Sequence, residues 1–116
     1  MRSEHAEQAL VVYLVNEMRP DLGEMMYAVP NGDLRHPKVA VKLKAEGVKA
    51  GVPDLVLAIP RGPYHGLYIE MKRIKGGRVS RDQVEWHERL RAQGYRVDVC
   101  YGHLEALAVI YGYDLL

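Results

Sequence analysis

Asp54, Glu70 and Lys72 are the residues of this chain whose types and spacing best suit chemistry. Carboxylate oxygens take hard divalent cations such as Mg²⁺ or Mn²⁺, which keep several of their waters. With an ammonium beside them, two carboxylates suit metal-assisted hydrolysis of a phosphodiester. The sequence must first bring the three together. Asp54 follows Pro53 and opens an apolar run over residues 55–59, while Glu70 and Lys72 end a second run that starts at Gly66. The breaker-rich link between them, residues 60–65, predicts a hairpin of two strands. Side chains alternate along a strand, so Glu70 and Lys72 share one face and Met71 takes the other. Folding back near Gly62 and Pro63 then sets Asp54 level with Glu70 and Lys72. Glu70 interrupts an otherwise apolar strand, and a carboxylate is costly to bury unless it is paired or metal-bound. The plainer alternatives are a turn role for Asp54, an edge-strand place for Glu70 and a Glu70–Lys72 salt bridge.

Asp54, a spacer and Glu70-x-Lys72 resemble the PD-(D/E)xK nuclease superfamily, and Pro53 fits its opening pair. The stretch from Gly47 through Val52-Pro53-Asp54, then Gly66 to Lys72, then Ser80 and Gln83, resembles the VRR-NUC (virus-type replication-repair nuclease) domain. Glu4 with Gln8 and Pro30-Asn31-Gly32 also fit. The resemblance covers nearly the whole chain, as in the stand-alone members found in phages and prophages. It implies a restriction-endonuclease-like core and a metal-dependent DNA endonuclease. It also implies a homodimer acting on branched DNA such as Holliday junctions.

The elements read from the residues are compatible with that fold. Residues 3–18 carry Ala6, Leu10, Leu14 and Met18 at helical spacing, with Ser3 as N-cap and Pro20 as stop. Residues 25–29 form a short apolar strand before the turn at Pro30. Residues 37–46 suit a short helix ended by Gly47, although Lys38 to Lys42 also alternates like a strand. After the hairpin comes a basic loop, Ile74 to Arg78. Ser80 and Gln83 then have the spacing of a capping box. Val84, Trp86, His87 and Leu90 form the stripe of the helix that follows, and Gly94 suits its end. A strand over residues 95–101 and a helix over residues 105–111 complete the order α-β-(α)-β-β-α-β-α. The expected product is one α/β domain over residues 1–116, a mixed sheet flanked by helices.

Net charge is only +1, but the charges are segregated. Counting Lys and Arg against Asp and Glu, residues 1–34 carry −4, 35–49 carry +4, 61–96 carry +5 and 97–116 carry −3. The basic surplus flanks Asp54 on both sides, as expected of a phosphate-backbone binder, although a solvated charged face would look the same. Asn31, Lys49, Arg73, Lys75, Arg78 and Arg81 are the DNA-contact candidates. The single Cys100 excludes an intramolecular disulfide and reads as core. No apolar run approaches the ~20 residues of a membrane span, and the first eight residues are too polar for a secretory signal. The cytoplasm of a bacterial or phage-infected cell is the expected compartment.

Asp54 and Glu70 are thus the candidate ligands for Mg²⁺ or Mn²⁺, with the backbone carbonyl of Met71 as third. Lys72 is the candidate to orient water or offset transition-state charge. Glu4 or Glu7 could add a carboxylate. The family pattern Glu-x-x-x-Gln favours Glu4 with Gln8, and simple charge at a helix N-terminus explains both glutamates equally. The resemblance implies that Gln83 lies beside the catalytic residues, whereas the capping box explains it locally. His36, His65 and His87 have no mutual ligand spacing and read as exposed or partly buried. Trp86 and the tail Tyr111, Tyr113, Leu115 and Leu116 are candidates for a dimer contact. A non-catalytic nucleic-acid-binding module with a nuclease fold is the alternative, and a hydrolase of free nucleotides would be expected to carry a Gly-rich phosphate loop.

Overall fold

The structure, a computed structural model, describes residues 1–30 and 36–116; the candidate Asn31 lies outside the described residues. Helix α1 spans Glu4–Met18 and is capped as its sequence predicts, the Ser3 hydroxyl accepting the Ala6 N–H at 3.1 Å. Pro20 stops α1, yet it also opens a further short helix, α2 (Pro20–Gly23), because proline suits a first helical position. Strand β1 is Met26–Ala28, and α3 is Pro37–Ala45. The ambiguous Lys-Val-Ala-Val-Lys stretch is therefore helical, opened by the His36 Nδ1 accepting the Lys38 N–H. No residue of α3 is buried. The hairpin consists of β2 (Leu55–Leu57) and β3 (Leu67–Lys72). Helix α4 (Arg81–Ala92), strand β4 (Arg96–Tyr101) and helix α5 (His103–Asp114) follow. Helix α5 runs longer at both ends than its sequence pattern predicts.

The described strands form one mixed sheet in the order β1-β2-β3-β4. Strands β1 and β3 pair with β2 antiparallel, and β4 lies parallel to β3. Leu55 sits opposite Ile69, so Asp54 falls opposite Glu70, as the hairpin argument requires. Glu70 therefore belongs to an interior strand, which removes the edge-strand reading.

Alternation divides β3 between two layers. Leu67, Ile69 and Met71 join Leu55, Leu57 and Cys100 in the main core, covered by Val11 and Val15 of α1 and by Ala106, Ile110 and Tyr113 of α5. Each large apolar side chain fully buried there contributes about 1.5–3 kcal/mol. Tyr68, Glu70 and Lys72 face the opposite layer, where α4 packs beside β4. The tail is drawn inward. Tyr113 is 0% exposed and its hydroxyl donates to the Ile59 carbonyl at 2.6 Å. Asp114 accepts from Arg19 at 3.0 Å and from Arg61 Nε at 3.1 Å, tying the end of α5 to the start of α2 and to the hairpin turn. Tyr113 therefore belongs to the protein's own core and is not available for a dimer contact.

Candidate active site

Asp54 lies just before β2, and its Oδ2 accepts the Met71 N–H at 2.7 Å. Its side chain thus takes the place of a ladder partner beyond the end of the strand. In an extended residue the N–H and C=O point to the same edge, so the Met71 carbonyl also faces Asp54. Beside them stands the Glu70 carboxylate, 1% exposed. Burial first, then hydrogen bonding with and repulsion from the Asp54 carboxyl, push Glu70 up to about 9, and the nearby Lys72 opposes this. Two carboxylates crowded in this way are relieved by sharing a proton or a cation.

Helix α4 holds Glu70 from above. Gln83 Nε2 donates to Glu70 Oε2 at 3.1 Å, and its Oε1 accepts from Lys72 Nζ at 3.0 Å. The same Oε1 accepts the Ser80 N–H at 2.8 Å, completing the capping box. The local and the functional readings of Gln83 are therefore both satisfied by one side chain. Lys72, 5% exposed, is bound to Gln83 and forms no ion pair with Glu70 among the described residues. His87 is a residue that sequence reasoning missed. It is 4% exposed, with Nε2 lying 3.1 Å from Glu70 Oε1. Burial, then the Arg91 and Lys72 cations, hold His87 below its ordinary range, so the imidazole is neutral near pH 7. When Glu70 is ionised, as it must be to hold a cation, Nε2 is the nitrogen that carries the proton and donates to the carboxylate. The available signal was the four-residue step from Gln83, which puts both side chains on one helical face.

The two helical glutamates separate cleanly. Glu4 shares a cavity of about 240 Å³ with His5, Gln8, Val29 and Asp54. Burial raises its pKa, Asp54 adds to this, and Lys72 and Arg73 oppose it. Glu7 instead is fully buried, its Oε2 accepting from the His103 backbone N–H at 2.7 Å and facing His103 Nδ1 at 2.6 Å. Glu7 is therefore an anchor for α5, and Glu4 is the carboxylate at the site.

Among the described residues no three His, Cys, Asp or Glu side chains form a ready metal cluster. Asp54, Glu70 and the Met71 carbonyl could together offer oxygen donors, of the kind that suits a cation held by one or two carboxylates with waters completing its shell. Lys49, Arg73, Lys75, Arg78 and Arg81 are all exposed. Gly51 keeps the Lys49 loop against α4. Its φ is +93°, and a Cβ there would lie 2.7 Å from the Asp82 backbone. A second cavity, about 470 Å³, is lined by Tyr27, Val56, Tyr68 and Trp86 and shares Val29 with the first.

This mixed sheet with its flanking helices matches a solved structure of a VRR_NUC domain protein with a TM-score of 0.88 and 32% identity, over 100% of this chain and 91% of that one. Among curated proteins no match is found. The VRR-NUC domain family matches residues 2–104, and the chain belongs to that family. Among the described residues no helix is long and apolar enough to cross a membrane.

Proposed function

We propose that this protein is a Mg²⁺- or Mn²⁺-dependent DNA endonuclease that hydrolyses phosphodiester bonds in branched DNA and works as a symmetric dimer. The observation that supports it most is the buried Glu70 carboxylate, crowded by Asp54 opposite it and on the same strand face as Lys72. Asp54, Glu70 and the Met71 carbonyl would hold the ion. When bound, such an ion polarises the scissile phosphate and makes a coordinated water more acidic. Lys72, with one N–H engaged by Gln83, keeps two donors for the attacking water or for the oxygens of the transition state. Glu4, which shares a cavity with Asp54, would accept a hydrogen bond from water in the site. Lys49, Arg73, Lys75, Arg78 and Arg81 supply the positive rim on which a phosphate backbone would lie. Branched DNA and the dimer belong together, because resolving a four-way junction takes two cuts and a two-fold dimer supplies two related sites.

Incubation with linear, flap and four-way-junction DNA, with and without Mg²⁺ or Mn²⁺, tests this reading. Metal-dependent cleavage that prefers the junction is expected, and Glu70→Ala should abolish it. DNA binding without cleavage under every metal condition would leave a binding module in place of the enzyme.

A further inference from the structure

We propose that His87 is a positioning residue that, with Gln83, holds the Glu70 carboxylate in the orientation in which it takes a divalent cation. This inference rests on the metal-dependent reading of the site. Gln83 and His87 lie four residues apart on α4; Gln83 Nε2 donates to Glu70 Oε2 at 3.1 Å, and His87 Nε2 lies 3.1 Å from Oε1, to which its N–H donates once Glu70 is ionised. Two donors on two oxygens fix the plane of the carboxylate as well as its place, which a single bond does not. Each carboxylate oxygen has two acceptor sites. The clamp occupies one on each oxygen and leaves the others for a cation shared with Asp54.

Packing alone does not explain a histidine here. The position lies between Val84 and Leu90 on the side of α4 that packs on the sheet, where an aliphatic side chain would be buried without needing a partner. A buried imidazole does need one, and its partner is the residue whose geometry matters most to the site. The Glu70 side chain is flexible and stands beside a second carboxylate that repels it. Without the clamp it would rotate away from Asp54, and the ion would have to draw it back. Donors behind a ligand commonly change metal affinity by about 10–100-fold when removed.

The test is Mn²⁺ binding to the whole chain without DNA, followed by calorimetry and by electron paramagnetic resonance. His87→Leu should weaken Mn²⁺ binding by about 10–100-fold while leaving the melting temperature of the metal-free protein unchanged or higher. His87→Gln keeps an N–H donor of similar reach and should recover most of the affinity. Should His87→Leu fail to fold, the shorter His87→Asn carries the same expectation of weakened binding. Affinity in His87→Leu equal to or tighter than wild type overturns the proposal. A ¹⁴N coupling to Mn²⁺ in pulsed spectra, lost in His87→Gln, also overturns it, because the imidazole would then be a ligand. Wild-type protein that binds no Mn²⁺ at all would sink the metal-dependent function itself, with Glu70→Gln as the matched control.

Discussion

At Glu70 the demands of folding and of chemistry oppose each other. A carboxylate in an interior strand, beside a second carboxylate, weakens the metal-free fold, and its pKa of about 9 records that conflict. Single replacement of Asp54, Glu70 or Lys72 by Ala should therefore lower cleavage by at least about 100-fold. The protein should stay folded, and Glu70→Ala should melt no lower than wild type without metal. Single-turnover cleavage rates and thermal melts read the two effects separately; wild-type cleavage by Glu70→Ala would refute the assigned site. These three residues are legible in the sequence because strand alternation is rigid. A polar residue placed two before Lys72 in an apolar run has a determined face. His87 was not legible, since a lone histidine in an amphipathic helix looks the same whether it meets solvent or a carboxylate. Glu4 and Glu7 were inseparable for a related reason. Both lie in the first helical turn, and only the distant His103 shows which of them is consumed by the fold.

At the scale of the elements, Glu7 shows how α1 and α5 are held together. Its carboxylate satisfies the N-terminus of α5, where Gly102 offers no side chain as a cap. Burial raises the Glu7 pKa, but the hydrogen bonds and proximity of His103 outweigh it, and the net shift is below the ordinary 4.5. A depressed folded pKa stabilises the fold above the unfolded value and loses that contribution as pH falls through the folded value. Glu7→Gln should thus cost roughly 1.5–3 kcal/mol near neutral pH, as for a buried hydrogen bond to a charged group. The difference from wild type should shrink as pH drops below about 4.5. Chemical denaturation at pH 7 and at pH 3 measures both values; a pH-independent difference would refute the charged role. Helix α3 illustrates the limit of sequence reading at this scale. A Lys-Val-Ala-Val-Lys stretch satisfies period two and period 3.6 alike, and with no buried partner nothing beyond its Pro and Gly boundaries decides between them. The hairpin was decided in advance, because its turn chemistry and its apolar runs agree.

For the whole molecule, the proposed partners bear on two features, the segregated charge and the residues that follow α5. Each neutralised phosphate of duplex DNA gives a slope near −0.9 in the logarithm of affinity against that of salt. Replacing Lys75 and Arg78 together by Ala should flatten that slope by about 1 to 2 while leaving Mn²⁺ binding intact, and an unchanged slope would remove the loop from the interface. The proposed dimer would draw on the surface that the fold leaves over. Tyr113 is spent on the core, and Trp86 is half-buried with the Arg89 guanidinium 5.5 Å from its ring centre. Leu115 at 85% and Leu116 at 55% exposure remain as neighbouring apolar side chains beyond the end of α5. Leu115→Asp with Leu116→Asp should therefore shift the sedimentation coefficient at micromolar concentration from dimer to monomer. The same change should uncouple the two cuts of a four-way junction while nicking of single strands persists, since each site is complete within one chain. A double variant that still sediments as a dimer would move the interface elsewhere on the surface. A wild-type monomer that cuts both strands in concert would refute the two-site argument and leave the carboxylate chemistry standing.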